Sequence, residues 1–338
     1  MNDRPAVLVT GGAGYIGSHC CRALDAAGYH PVVYDNFSTG HRSFVTGSLI
    51  TGDLRDGARL ARAFARHDIV AVMHFAASSL VGESVADPRK YYANNVGGTL
   101  SLLDAMREAG CNRLVFSSTG AVYGNADSKA LPESYPCEPI NPYGASKWMI
   151  ERILKDYRPA YGLGSFALRY FNASGADASG GIGEKRAHET HLIPRAMMAL
   201  QGHVSDFAVF GDDYDTPDGT AIRDYIHVTD LAAAHILALK LLMQGHSGGA
   251  FNLGTGKGFS VREILAAIAA ETGRAVPHAV KPRRSGDPAC LVADASAARE
   301  TLQFCPKHSD LATIVRTAWA WHQKAHPLRA DADWSPAA

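Results

Sequence analysis

Residues 6–17 read Ala6-Val-Leu-Val-Thr10-Gly11-Gly-Ala-Gly14-Tyr15-Ile16-Gly17, and a helical pattern follows through Cys20, Ala23 and Leu24. A short apolar run, a glycine turn and a helix start in immediate succession are one unit of a parallel α/β sheet. Glycines at 11, 14 and 17 permit the tight turn, let backbone N–H groups approach a pyrophosphate at the helix N-terminus, and let the helix lie close to the strand. The next strand-like run, Pro31-Val-Val-Tyr, ends in Asp35, 18 residues after Gly17, where a carboxylate can take the adenosine ribose hydroxyls of a dinucleotide. An acid there repels a 2′-phosphate, and Asn36-Phe-Ser38 supplies no arginine, so NAD is favoured over NADP; Arg42 is the nearby cation that argues the other way. Asp53, after Ser48-Leu-Ile-Thr51, is open to two readings, an adenine contact or a turn former.

The alternation continues outward from this unit. Ile69-Val-Ala-Val-Met-His-Phe75, a helix from about Tyr91 to Ala109, Arg113-Leu-Val-Phe-Ser117 and Ser165-Phe-Ala-Leu-Arg-Tyr170 are strands and helices in turn. The expected fold is therefore α/β: a doubly wound parallel Rossmann-type sheet. Ligands of such sheets sit beyond the carboxyl ends of the strands, which is where His74-Phe-Ala-Ala77, Ser117-Ser-Thr119 and Tyr170-Phe-Asn172 fall. Beyond Asn172 the composition turns to Gly, Ala and Ser as far as Arg186, then to mixed short elements, as in a smaller mixed α/β substrate-binding lobe. Gly249-Ala-Phe-Asn-Leu-Gly254 reads as one more sheet strand. Residues 1–172, with a return near 225–255, are thus assigned to the dinucleotide-binding domain, and 173–224 with 256–330 to the lobe. The polar end after His326 is expected to be loose.

Composition bounds the function. The 338 residues carry 33 Lys plus Arg and 33 Asp plus Glu, with 46% hydrophobic content. That is a globular protein large enough for one core and a smaller second one. A balanced charge gives no reason to expect nucleic acid or an anionic membrane surface, so a bound phosphate must be met locally. The six cysteines show no CxxC pairing or metal-ligand spacing, so buried free thiols and no metal are expected. The first strand begins too soon after Met1 for a leader, and the longest apolar helix, near Leu231 to Met243, carries His235 and Lys240. A cytoplasmic location is the expectation.

Chemistry enters at Tyr143-Gly-Ala-Ser-Lys147, which opens a helical pattern after Ser117-Ser-Thr119 and a loop broken by Gly and Pro. A tyrosine four residues before a lysine shares its helix face. An ammonium near a phenol favours phenolate, so a phenol of ordinary pKa near about 10 is expected to fall toward neutrality and act as a general base. A packed ring beside a snorkelling amine is the commoner meaning of that spacing. A cofactor on the same edge of the sheet shifts the reading toward catalysis.

Together the glycine loop, Ser117-Ser-Thr119, Tyr143-x-x-x-Lys147, Leu168-Arg-Tyr-Phe-Asn172, Gly211-Asp-Asp-Tyr214, Arg223-Asp-Tyr-Ile-His227 and Arg283-Arg-Ser-Gly-Asp287 resemble the extended short-chain dehydrogenases. The glycine loop and the Tyr and Lys motif are generic to that superfamily. His74-Phe-Ala, Val81-Gly-Glu-Ser84, Tyr91-Tyr, Asn95 and the Arg-Asp-Tyr-Ile-His run are narrower, and over nearly the whole chain they resemble its nucleotide-sugar 4-epimerases.

The resemblance implies NAD as cofactor, UDP-galactose and UDP-glucose as substrates, and a homodimer. It implies Thr119, Tyr143 and Lys147 as catalytic residues. For the cofactor it implies Gly11, Gly14, Tyr15, Ile16, Gly17, Asp35, Asn36, Asp53 and Leu54, then Phe75, Ala76, Asn95, Tyr143, Lys147 and Tyr170. For the substrate it implies Thr119, Tyr143, Phe171, Asn172, His191, Leu192, Phe210, Arg223, Arg284, Asp287 and Leu291. Arg223 and Arg284 would clamp the diphosphate, Asn172 would add a neutral contact and Asp287 a hydroxyl acceptor. Leu291 stands where such enzymes place the residue gating N-acetyl sugars, and its intermediate volume leaves UDP-N-acetylhexosamines open. Two departures stand out. Ser79 replaces a lysine that contacts the cofactor, which loosens the expectation of tight NAD retention. His191 replaces an asparagine, and is either a phosphate contact or a capping or packing residue.

Two rival readings remain. Dehydratases and decarboxylases of the superfamily usually carry a carboxylate just after the Ser/Thr, where this chain has Gly120-Ala121. A non-enzymatic NAD-binding redox sensor typically lacks the Tyr or the Lys.

Overall fold

The computed structural model describes residues 4–126, 128–284 and 286–328. The first strands and helices alternate: β1 (Ala6–Thr10), α1 (Tyr15–Ala26), β2 (His30–Asp35), β3 (Ser48–Thr51), α2 (Gly57–Arg66) and β4 (Ile69–His74). Then come α3 (Val81–Ala86), α4 (Pro88–Tyr91), α5 (Gly98–Glu108), β5 (Arg113–Ser117), β6 (Ser128–Leu131), α6 (Pro142–Tyr161) and β7 (Gly164–Tyr170). The second half holds β8 (Asn172–Ser174), α7 (Leu192–Leu200), β9 (Ala208–Phe210), β10 (Ile222–His227), α8 (Val228–Met243) and β11 (Gly248–Leu253). It closes with β12 (Gly258–Ser260), α9 (Val261–Thr272), β13 (Ala279–Lys281), β14 (Cys290–Ala293), α10 (Ser296–Leu302) and α11 (Leu311–Ala325).

Seven strands form one parallel sheet in the order β11-β7-β5-β4-β1-β2-β3. Alternate residues of β1 face opposite layers. Val7 and Val9 pack with Cys20 and Leu24 of α1 and Leu231 and Leu239 of α8, while Leu8 packs with Leu60 of α2, Leu102 of α5 and Ile150 of α6. A sheet covered by helices on both faces is the doubly wound arrangement, and each fully buried Val or Leu contributes roughly 1.5–3 kcal/mol. Strand order reverses between β1 and β4, so the crevice for a ligand opens there, beyond Thr10 and His74.

The lobe is built on a second sheet, β12-β10-β14-β6, with β8 also paired to β10, and on the small pair β13 and β9. Two strands cross the expected boundaries. β10 lies in the lobe sheet while α8 and β11, which follow it, return to the large one. Ser128–Leu131, within the first segment, pairs with β14 of the lobe. The residues 329–338, most of the end expected to be loose, lie outside the described residues.

The helix expected from Tyr91 to Ala109 is interrupted. Residues 92–97 form a π turn between α4 and α5. Gly97-Gly98 weakens the regular ladder there, and Asn95, within the turn, binds outside the helix, as described below. All six thiols are free, as expected; Cys20, Cys21, Cys111 and Cys290 are buried, while Cys137 is half-buried and Cys305 is exposed. Among the described residues no helix is long and apolar enough to cross a membrane.

Candidate active site

The glycine turn is tight because it must be. Gly11 has φ +73°, and a Cβ there would lie 2.6 Å from the backbone nitrogen of Ala76, in the loop after β4. A Cβ on Gly17 would lie 2.2 Å from the Gly11 carbonyl. Gly14 caps α1 with no side-chain cap, and no acid stands in the first turn. The helix N-terminus therefore presents free backbone donors and its positive dipole end to an anion. This cradle fits a dinucleotide pyrophosphate.

Around it the other predicted cofactor residues fall into place unevenly. Asp35 ends β2, buried, accepting from Ala13 N at 3.0 Å and Phe37 N at 2.8 Å, and so ties the turn to the loop after β2. Arg42 lies over the Phe37 ring at 4.3 Å. Asp53 accepts from Arg55, which holds its carboxyl well below the usual range, and from Asn36 Nδ2 at 3.1 Å. It also accepts from Arg55 N at 2.9 Å, the geometry of a turn former. Leu54 is core, Ile16 packs on the core beneath the turn, and Phe75 and Ala76 begin the loop that closes over Gly11. Tyr15 donates to the Gly175 carbonyl at 2.6 Å, reaching across to the segment that leads into the lobe.

Asn95 has its amide committed inside the protein. Its Oδ1 accepts from Ser78 N at 2.8 Å, and its Nδ2 donates to Ser78 O at 3.1 Å and Ser146 Oγ at 3.0 Å. It thus joins the loop after β4 to α6, one turn from Tyr143. Behind it His74 is buried between Thr10 Oγ1 at 2.6 Å and Thr99 Oγ1 at 2.8 Å, its pKa lowered to about 3 by burial. A neutral imidazole there locks β1, β4 and α5 together.

The helix α6 starts where the chain dictates: Asn141 accepts from Gly144 N at 2.9 Å, and Pro142 sits at the first position. Tyr143, Lys147 and Glu151 then fall on one face, toward the end of β5. The Thr119 hydroxyl stands close enough to the Tyr143 phenol to favour its ionised form, and accepts from Ala121 N at 3.1 Å. Lys147 is buried, donates to the Ser117 carbonyl at 2.8 Å and lies over the Phe116 ring at 4.8 Å. Burial lowers the Lys147 pKa to about 7, with Glu151 opposing.

The expected fall in the phenol pKa is not what the protein alone produces. Burial pushes Tyr143 above its ordinary value, against the pull of the Thr119 hydroxyl and the Arg186 guanidinium. Desolvation outweighs both, and Lys147 spends its contact on a carbonyl. Tyr170 meets Ser117 Oγ through its hydroxyl at the same strand edge. Sequence reasoning missed what underpins these residues: Ser118 Oγ donates to Glu151 Oε1 at 2.5 Å, and Glu151 accepts a fork from buried Arg169 at 3.0 and 2.6 Å.

A cavity of about 880 Å³ opens from this edge into the lobe. Phe171 and Asn172 form its near wall, and His191 and Leu192 stand at the start of α7. Phe210, Arg223, Arg284 and Asp287 line its far side. Arg284 lies 4.0 Å over the Phe210 ring, Arg223 is ion-paired to Asp287, and Asn172 Nδ2 donates to Asp224 O at 3.1 Å. His191 makes no cap bond; its Nδ1 pairs with buried Glu184 at 2.8 Å, and that charge raises the imidazole pKa. Leu291 is placed differently from expectation. It pairs in the sheet with Arg223 and packs on the cluster of Val122, Tyr123, Ala126 and Leu131, on which Phe171 of the cavity wall also packs, and it is not among the residues lining the cavity. Glu184 and Glu189 also line the cavity, and neither was singled out in the sequence; the Gly-, Ala- and Ser-rich composition around them gave no signal.

A switch-point cradle for a dinucleotide, a Thr-Tyr-Lys constellation and an arginine-lined second cavity define a nicotinamide enzyme of anionic substrates. A model of the NAD dependent epimerase/dehydratase family matches residues 7–254, and the chain belongs to that family. Within it, the chain is 52% identical to the UDP-glucose 4-epimerase of Rhizobium leguminosarum bv. trifolii, over 95% of this chain and 98% of the relative. The crystal structure of UDP-glucose 4-epimerase from Brucella ovis in complex with NAD has a TM-score of 0.91 at 56% identity, covering 93% of this chain and 97% of that one. The enzyme from Bifidobacterium longum in complex with NAD+ and UDP has a TM-score of 0.88 at 38% identity, covering 95% and 99%.

Proposed function

We propose that this chain interconverts UDP-galactose and UDP-glucose by oxidising the sugar transiently at C4. The observation that carries the reading is that Tyr143, with Thr119 and Lys147 beside it, stands at the carboxyl edge of the sheet from which a cavity lined by Phe171, Arg223 and Arg284 opens into the lobe. Gly11, Gly14 and Gly17, with Asp35 and Lys147, would hold NAD, which supplies a hydride acceptor whose positive ring also favours phenolate. Tyr143 takes the proton of the 4-hydroxyl as hydride leaves C4, and Thr119 bridges phenol and sugar oxygen. Arg223 and Arg284 hold the diphosphate by charge-assisted contacts while the 4-keto sugar turns. The same proton then returns from Tyr143 as hydride returns to the other face of C4.

His191, whose imidazole pKa is raised by the Glu184 carboxylate on the cavity wall, adds a further contact for the phosphates. Gly120-Ala121 after Thr119 supplies no acid for elimination, which favours epimerisation over dehydration or decarboxylation. The test is incubation with UDP-galactose, quenching, and assay of UDP-glucose with a coupled dehydrogenase. Formation of UDP-glucose supports the reading, and its absence with and without added NAD rejects it.

The same reading carries a homodimer. Val81 and Val85 of α3, Tyr92 of the π turn, Leu100 of α5 and Met149 of α6 are exposed apolar side chains on adjoining elements. Such a patch is suited to a second copy. Light scattering on the eluted protein tests it, a monomer mass being the contrary result. A cytoplasmic location belongs to the reading as well, and cell fractionation checks it.

A further inference from the structure

Residues 175–191 form a strap that crosses from the lobe to the first domain. Tyr15 of the glycine turn donates to Gly175 O at 2.6 Å, Arg22 of α1 pairs with Asp177 at 3.1 Å, and His41 meets Lys185 O at 3.0 Å. The strap then lays Arg186 against the loop after β4, with Nη1 3.4 Å from Ser79 Oγ. On the strap itself, Arg186 Nε donates to Glu184 Oε1 at 2.8 Å. That carboxylate is shared, because His191 Nδ1 meets the same oxygen at 2.8 Å and is favoured in its charged form. Arg186 and His191 thus share one buried carboxylate, and burial with Glu184 raises the pKa of the neighbouring Glu189. With only Nε spent on Glu184 and one weak contact to Ser79, the guanidinium keeps spare donors.

Neither the glycine turn nor the facing loop supplies a side-chain cation of its own. Residues 10–21, the turn and first helical turns, hold no Lys or Arg, and neither do residues 75–88 in the facing loop. Arg22 is committed to Asp177. The Arg186 guanidinium also lies close enough to the Tyr143 phenol to reduce its proton affinity.

We infer that Arg186 is a cofactor-holding residue, a cation delivered by the strap to the rim between Ser79 and Tyr143, where it binds the negatively charged phosphates of the dinucleotide. The inference rests on the reading of an NAD enzyme given above. Its consequence is that retention of the cofactor depends on the strap being closed on the first domain, so that lobe and cofactor are linked by one side chain.

The test uses Arg186→Gln and Arg186→Lys beside the unaltered protein, with NAD dissociation constants from equilibrium dialysis of labelled NAD at low and moderate salt. The unaltered protein is measured first. If it neither binds NAD nor epimerises UDP-galactose, the underlying reading fails, whatever Arg186 does. Given binding, the expected result is a rise of about tenfold in the constant for Arg186→Gln, a smaller rise for Arg186→Lys, and a flatter salt dependence in the Gln variant. A constant within about twofold of the unaltered protein for Arg186→Gln overturns the inference. So do equal losses in the two variants, because shape and not charge would then be responsible. Melting of the nucleotide-free proteins identifies a folding defect in the Gln variant, in which case the Lys variant decides: weaker binding at full stability supports the inference, and unchanged binding with unchanged salt dependence overturns it.

Discussion

Replacing Glu151 by Gln tests whether the end of β5 is held by charge. Glu151 and Arg169 are each 4% exposed in their side chains and joined by a fork of hydrogen bonds. Arg169 Nη1 also donates to the Tyr123 hydroxyl at 2.9 Å, and Tyr123 donates to Asn252 Oδ1 at 2.7 Å. The network therefore runs from α6 through β7 to β11. A glutamine keeps the shape and an acceptor for Ser118 but leaves a guanidinium buried without its counter-charge. Breaking one side of such a pair costs about 3–5 kcal/mol, whereas exchanging both partners for apolar residues of similar volume is often near neutral. Glu151→Gln is expected to lose about that much in urea unfolding followed by tryptophan fluorescence, and Glu151→Leu with Arg169→Met clearly less. A loss below about 1 kcal/mol for the single variant, or a double variant worse than the single, would refute the reasoning.

Three further outcomes follow from the same geometry. Gly11→Ala sets a Cβ 2.6 Å from Ala76 N at φ +73°, so NAD binding by equilibrium dialysis should weaken at least tenfold, that is by about 1.4 kcal/mol. Lys147 has a folded pKa near 7, below its unfolded value, so the unfolded chain binds more protons between that pH and about 10.4 and stability gained by deprotonation accrues as pH rises. The thermal stability of Lys147→Met relative to the unaltered protein should accordingly be highest below pH 7 and decline toward pH 10 in calorimetry; a gap independent of pH contradicts the burial account. Leu291→Ala should open the cluster of Val122, Tyr123, Ala126 and Leu131 on which Phe171 also packs, raising KM for UDP-galactose in steady-state assay while the NAD dissociation constant stays fixed.

The large sheet was legible because its strands are short apolar runs bounded by glycine and separated by helical periods, and because Asp35 closes the first unit at a fixed distance. Tyr143, Lys147 and Thr119 were legible for a similar reason: a helix start and a strand end fix them in sequence as well as in space. What the sequence hid depends on long-range packing. Ser128–Leu131 belongs to the lobe sheet because β14, far along the chain, pairs with it. The π turn at 92–97 carries Asn95, whose contacts with Ser78 and Ser146 have no periodic signature. The raised Tyr143 pKa follows from burial, which spacing alone does not report. Leu291 was assigned by position after Asp287, yet the register of β14 with β10 turns it into the cluster behind Phe171.

The central claim is that hydride leaves C4 and returns to C4 of the same sugar, with Tyr143 handling only the hydroxyl proton. The direct measurement is conversion of UDP-galactose deuterated at C4, in ordinary water, by the unaltered protein and by Tyr143→Phe. The account predicts UDP-glucose that keeps its deuterium at C4, and a Tyr143→Phe protein that binds NAD and UDP but turns over at least about a hundredfold more slowly. Loss of the label to solvent, or full turnover without the phenol, would contradict it.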